Sequence, residues 1–261
     1  MAAGLLWILD AGNNTAMEPY RAFVADKLDE AQQPIGFQAQ SFFTGFGQTL
    51  ANVSLFVFPM IFIGTTGKLP TWVFASFILG SICSIGSVWW SSYTTKEIPP
   101  TEEELQKIQS EKVNIFTPFI DIFLAIKEMP KVMWQLALVY LFQWYALFCY
   151  WQNSSKSIAL SVWNTTPQQN SKLYEEAVGW TGLVNGWYNI VTFLCAFGLV
   201  YFAKKYSPKM VHFACLLLAA TGFLIFPHIE NKYLLFPAIT GFGIGWASMM
   251  GLSYFMVVLI I

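Results

Sequence analysis

Leu69–Tyr93 reads LPTWVFASFILGSICSIGSVWWSSY and contains no charged side chain. About 20 apolar residues of helix cross the hydrocarbon core of a bilayer, and this run is long enough. A barrel strand would alternate apolar and polar positions over about 10 residues; this run is continuous, so it predicts a helix. Six more segments share its character, near Ala2–Val24, Phe37–Ile63, Val132–Trp151, Val178–Ala203, Met210–Phe226 and Leu234–Ile261. The expected fold class is therefore all-α: a polytopic helical bundle in a membrane, with seven spans in this chain.

Composition agrees. Of 261 residues, 56% are hydrophobic and only 11% charged, and the mean hydropathy is +0.50. Soluble domains carry about 25% charged residues, so an ordinary soluble enzyme is excluded. Disorder is excluded by the apolar content. Cys83, Cys149, Cys195 and Cys215 all lie in apolar runs without a CxxC pair and read as packing residues. The net charge of −1 offers nothing to nucleic acid. The chain has no HExxH, P-loop, metal-spaced cluster or nucleophile motif, so neither an enzyme nor a cofactor is expected.

Lysines orient the chain. Nine (Lys27, Lys96, Lys107, Lys112, Lys127, Lys131, Lys204, Lys205, Lys209) fall on one side and four (Lys68, Lys156, Lys172, Lys232) on the other. Cytoplasmic loops carry the excess of positive charge, so the first set is assigned to the cytoplasm. The first segment begins directly in a span, and the last stops at Val257-Val258-Leu259-Ile260-Ile261 without a polar exit. The expectation is a fragment of a longer protein. The long loop, residues 94–131, contains Thr101 followed by three acids, the pattern of a helix N-cap with charge at the positive dipole end. Phe116, Phe119, Ile120, Phe123 and Ile126 recur there at helical spacing, as in an amphipathic helix on the cytoplasmic membrane face.

The first span holds charge. Asp10, Glu18 and Arg21 lie within it, and Arg21 is the sole arginine of the chain. On a helix, Asn14, Glu18 and Arg21 fall about 40°, 80° and 20° from Asp10, so all four share one face. Charge facing lipid costs at least ~2.5–3.5 kcal/mol per residue, which turns that face toward protein or a water-filled cavity. Glu18 and Arg21 are spaced to pair. Asp10 is about 16 Å from Arg21 along the axis and has no local cation. A carboxylate so placed is suited to taking up and releasing a proton. Arg21 offers a fixed fork of five donors to a hydroxyl-rich or anionic ligand. Pro19 is expected to kink the helix.

These residues resemble a known pattern. Asp10, Asn13, Asn14, Pro19, Arg21, Ala22, Ala25 and Asp26 match D-x-x-N-N-x-x-x-x-P-x-R-A-x-x-A-D, which is similar to the fourth helix of glycoside–proton symporters. That family comprises plant sucrose transporters, related animal sugar symporters and bacterial maltose-type transporters of the major facilitator superfamily. The resemblance implies a major-facilitator-type fold in which this chain supplies helices four to ten of twelve. Residues 1–93 would be the last three helices of the N-terminal bundle, 94–131 the cytoplasmic central loop, and 132–261 the first four helices of the C-terminal bundle. It further implies proton coupling and sugar binding at Asp10 and sugar transport at Arg21. Glu18 departs from the plant pattern, which resembles a glycine there, so Asp10 and Glu18 are both candidates for the proton.

Two further groups are candidate sugar contacts. Trp144, Phe148 and Trp151 form one helical stripe beside Gln143. Trp pairs a flat apolar body with a polar tip, and Gln both donates and accepts, which suits a sugar; aromatics near Trp151 also suit a membrane interface. Asn185 and Asn189 stand one turn apart with Trp187 and Tyr188 between them, as cavity-lining groups or helix–helix glue. Gln48 and Asn52 carry the same two readings. Gly241, Gly243 and Gly245 read as close-packing positions, and His212 and His228, near span ends, as structural.

The expected function is symport of a proton with a neutral glycoside, a disaccharide such as maltose or sucrose. The expected setting is a cell membrane, the bacterial inner membrane, with sugar, proton and lipid as partners and a monomer when complete. The alternatives are a sodium-coupled sugar symporter and a seven-helix receptor. Leu234–Ile261 contains no lysine, which removes a retinal protein.

Overall fold

The computed structural model describes residues 2–29, 33–67, 69–96, 99, 101–102, 105–106 and 117–258. Each of the seven apolar segments falls mainly in one of seven helices among the described residues. These are α1 (Ala2–Lys27), α2 (Gln33–Ile61), α3 (Thr71–Thr94), α5 (Lys131–Trp163), α6 (Ser171–Lys205), α7 (Pro208–Ile225) and α8 (Leu235–Val258), with α4 (Thr117–Glu128) preceding α5. Among the described residues, four helical stretches are long and apolar enough to cross a membrane: Thr71–Thr94, Lys131–Trp163, Pro208–His228 and Lys232–Leu252. The described residues are those of a predominantly helical, membrane-embedded protein.

Local chemistry sets the helix ends, and two differ from the sequence expectation. α5 does not stop at Trp151 but continues through the polar stretch 152–157 to Trp163. Asn164 then takes a left-handed conformation at φ 45°, which Asn tolerates better than most residues. The Thr165 N–H reaches back to the Ala159 carbonyl at 3.1 Å, closing the last turn. α6 starts at Ser171 rather than Val178, because the Asn170 side chain accepts from the Leu173 N–H at 3.1 Å and caps the first turn. A small antiparallel hairpin joins α2 to α3. It pairs β1 (Thr65–Thr66) with β2 (Leu69–Pro70), with Gly67 at φ 69° in the turn. α1 remains helical across Pro19.

Two compact units divide the chain. One comprises residues 1–53 and 182–252, the other 54–181 and 253–261. In the first, the core lies where α6, α7 and α8 meet. Val184, Leu235 and Ile239 are fully buried, and the Tyr188 and Phe242 rings meet edge to face at 4.5 Å. Glycines set this packing, as the sequence anticipated. A Cβ on Gly241 would collide with the Leu218 carbonyl, and one on Gly243 would stand 2.6 Å from the Tyr188 carbonyl. The Thr192 hydroxyl lies 2.9 Å from the Gly243 carbonyl, a side-chain bond across two helices. In the second unit, Ile158 and Ala159 of α5 and Ala177 of α6 are fully buried. Phe56 meets Trp180 edge to face at 6.4 Å. No residue of α3 is fully buried, although Thr71–Val73, Ala75 and Ser76 are half-buried.

Within the central segment, the Thr101 carbonyl accepts from the Leu105 N–H at 2.8 Å, a bond of helical spacing. Phe116 lies outside the described residues. α4 exposes Phe119 and Phe123 at 68% and 70%, along with Ile120 and Ile126. Asp121 and Glu128 lie about 20° apart on the opposite side of the wheel. Only Met129 and Pro130 separate the end of α4 from the start of α5 at Lys131. In liposomes, a spin label at Phe123 is expected to be open to oxygen and shielded from a water-soluble nickel chelate, and one at Asp121 the reverse. Equal nickel access at both would place α4 in water.

Candidate functional site

On α1, residues 4–17 are all exposed. They include Leu5, Leu6, Trp7, Ile8 and Leu9, and then Asp10, whose carboxylate stands on an otherwise apolar stretch. The Asn14 amide donates to the Asp10 main-chain carbonyl at 2.9 Å, and the Thr15 hydroxyl to that of Ala11 at 2.8 Å. Both side chains thus satisfy themselves on their own helix, the usual solution for a polar group without water. Glu18 and Arg21 lie in α1, but their side chains fall outside the described residues, and with them the expected pair.

On α5, the aromatic stripe is a ring cluster. Trp144 lies 6.0 Å from Phe148 and 6.3 Å from Trp151, and Phe148 meets Trp151 edge to face at 5.6 Å. Trp144 is 36% exposed, so part of the indole is open to a ligand or lipid, and Gln143 beside it is half-buried. Tyr150 is buried and Tyr145 exposed.

On α6, Asn189 is buried, and its amide donates to the Asn185 carbonyl at 2.9 Å; Asn185 itself is half-buried. On α2 the Asn52 amide repeats this pattern, donating to the Gln48 carbonyl at 2.8 Å. Asp10 and Asn14 are exposed whereas Asn189 is enclosed, so the first unit offers them different surroundings.

Two polar links were not anticipated. Trp187 Nε1 donates to Thr240 Oγ1 at 3.0 Å, tying α6 to α8. His212 Nδ1 lies 2.7 Å from Ser248 Oγ, tying α7 to α8. The available signal was the hydroxyls of Thr240 and Ser248 within otherwise apolar runs. Neither has a periodicity that marks it, because a partner on another helix leaves no trace in spacing.

No family model matches the chain, and no solved structure matches it. Fold and geometry define a class, a helical membrane protein with isolated polar groups placed among apolar helices.

Proposed function

We propose that the chain belongs to a proton-coupled symporter for a neutral glycoside, a disaccharide such as maltose or sucrose, and forms helices four to ten of a twelve-helix, major-facilitator-type transporter. The observation that carries the reading is Asp10, a carboxylate that follows the apolar run Leu5–Leu9 of α1 and stands one turn from Asn14. Intramembrane acids mark ion and substrate pathways. Asp10 or Glu18 carries the proton; Arg21, Asn14, Gln143, Trp144, Asn185 and Asn189 are the candidate sugar contacts. The partially open Trp144 indole, backed by Phe148 and Trp151, is suited to the apolar face of a sugar ring. The transporter works as a monomer in the bacterial inner membrane, exposing sugar and proton to each side in turn by rocking of two bundles.

The test is reconstitution of the native gene product in liposomes holding a pH-sensitive dye. Maltose or sucrose added outside, without sodium, is expected to acidify the interior as sugar enters. Sugar entry that requires sodium and leaves the pH unchanged would favour the sodium-coupled alternative. Absence of sugar movement in either salt would overturn the transporter reading.

A further inference from the structure

The junction between α6 and α7 is short, basic and exposed. Only Tyr206 and Ser207 separate Lys205, the last residue of α6, from Pro208, the first of α7. Lys204, Lys205 and Lys209 fall within six residues, and no acidic residue occurs anywhere from 177 to 229. Lys205 and Lys209 are both exposed. The Lys205 ammonium stands 5.3 Å from the centre of the Tyr206 ring, which keeps its charge beside the junction. Ser207 gives α7 no side-chain cap, so the positive end of that helix is open at the same place.

Length sets the depth of these charges. The candidate span Pro208–His228 has 21 residues, about 30 Å of helix, which is the thickness of a bilayer's hydrocarbon core. Lys209 therefore stands at the level of the lipid headgroups, and the residues that follow it enter the hydrocarbon. Each described lysine heads an exposed apolar column. On α7, Phe213 and Leu217 follow Lys209 one and two turns deeper, with Phe213 57% exposed. On α6, Leu194 and Tyr201 share the face of Lys205, each within about 20° of it or twice that, and Tyr201 is 62% exposed.

We propose that the α6–α7 junction is a binding site for one anionic phospholipid, with the phosphodiester between Lys205 and Lys209 and an acyl chain along Phe213 and Leu217. The pattern fits this ligand better than a soluble anion, because a soluble anion would use the lysines and leave the apolar columns without a role. It fits an anionic lipid better than a zwitterionic one, whose own cation would meet the lysines. A lysine close to an anionic headgroup contributes about fivefold in affinity, so two give a preference of about twentyfold. The site does not depend on the transporter reading, and its test reads no transport.

The purified chain in detergent would be offered equal amounts of phosphatidylglycerol and phosphatidylcholine, and native mass spectrometry would count the lipids retained. The wild type is expected to hold phosphatidylglycerol in an excess of about twentyfold. In the double variant Lys205→Gln, Lys209→Gln the two lipids should be held about equally. Lys156→Gln, Lys172→Gln removes two exposed lysines at the other ends of α5 and α6 and should keep the preference. Inorganic phosphate should displace no more lipid than chloride of the same ionic strength. Equal retention of both lipids by the wild type overturns the site and needs no variant to fold. A preference that survives the Lys205, Lys209 change, or that falls as far with the Lys156, Lys172 change, overturns it as well. Displacement by phosphate alone would assign the lysines to a soluble anion and remove the lipid.

Discussion

Gly241→Leu is expected to unfold the α7–α8 contact, with a loss of about 1–3 kcal/mol or more. The position leaves no room for a side chain, since even a Cβ would strike the Leu218 carbonyl. The obstacle is main chain in the middle of α7, so it cannot turn aside as a flexible side chain would. One helix must shift outward, and the buried contacts beside it, Phe223 on Phe242 among them at 5.0 Å, would loosen. Gly241→Ala should show the same effect in smaller measure. Gly80 of α3 provides the contrast, because its Cβ would meet nothing within 4 Å. There Gly→Ala should be neutral or mildly stabilising, alanine favouring a helix by up to about 1 kcal/mol. Unfolding of the purified chain in increasing sodium dodecyl sulfate would separate the cases. Equal midpoints for the two alanine variants would mean that α7 and α8 do not approach this closely.

Asp10→Asn, under the proposed function, is expected to abolish sugar accumulation driven by a pH gradient while leaving sugar exchange at equilibrium intact. Asparagine has the shape of the acid and still hydrogen-bonds, but it cannot change charge. Coupling needs a group whose proton affinity differs between the outward and inward states. Without one, the sugar gradient is uncoupled from the proton gradient. An inward gradient of one pH unit can drive about tenfold accumulation, and the variant should bring that ratio to about one. Uptake of labelled maltose or sucrose by proteoliposomes holding the native gene product would measure it. Glu18→Gln belongs in the same experiment. Should Glu18→Gln lose accumulation and Asp10→Asn keep it, the proton passes to Glu18; should both keep it, neither acid couples.

Helix type and placement were legible because they rest on local properties. Continuous apolar runs such as Leu69–Tyr93 can satisfy their main chain in lipid as helices, and among the described residues each of the seven segments falls mainly in one, four of the helical stretches being long and apolar enough to cross a membrane. The aromatic stripe of α5 was legible for the same reason, since Trp144, Phe148 and Trp151 meet by helical spacing alone. Ends were harder. Residues 152–157 look like a loop by polarity, yet they continue α5, because the stop signal is the left-handed turn at Asn164 rather than the loss of apolarity.

What the chain could not state in one dimension is which polar residues meet. His212 and Ser248 stand on the two arms of one helical hairpin, and Trp187 and Thr240 on helices with α7 between them in the sequence, and their bonds arise only when α6, α7 and α8 pack. The glycines of α8 announced close contact, but the carbonyls they press against, those of Leu218 and Tyr188, became known only from the fold. Helix periodicity follows from main-chain geometry within a few residues, and the order of residues therefore determines it. Partnership across helices depends on rotation and separation, which the packing of the whole core sets; the tertiary structure alone decided it.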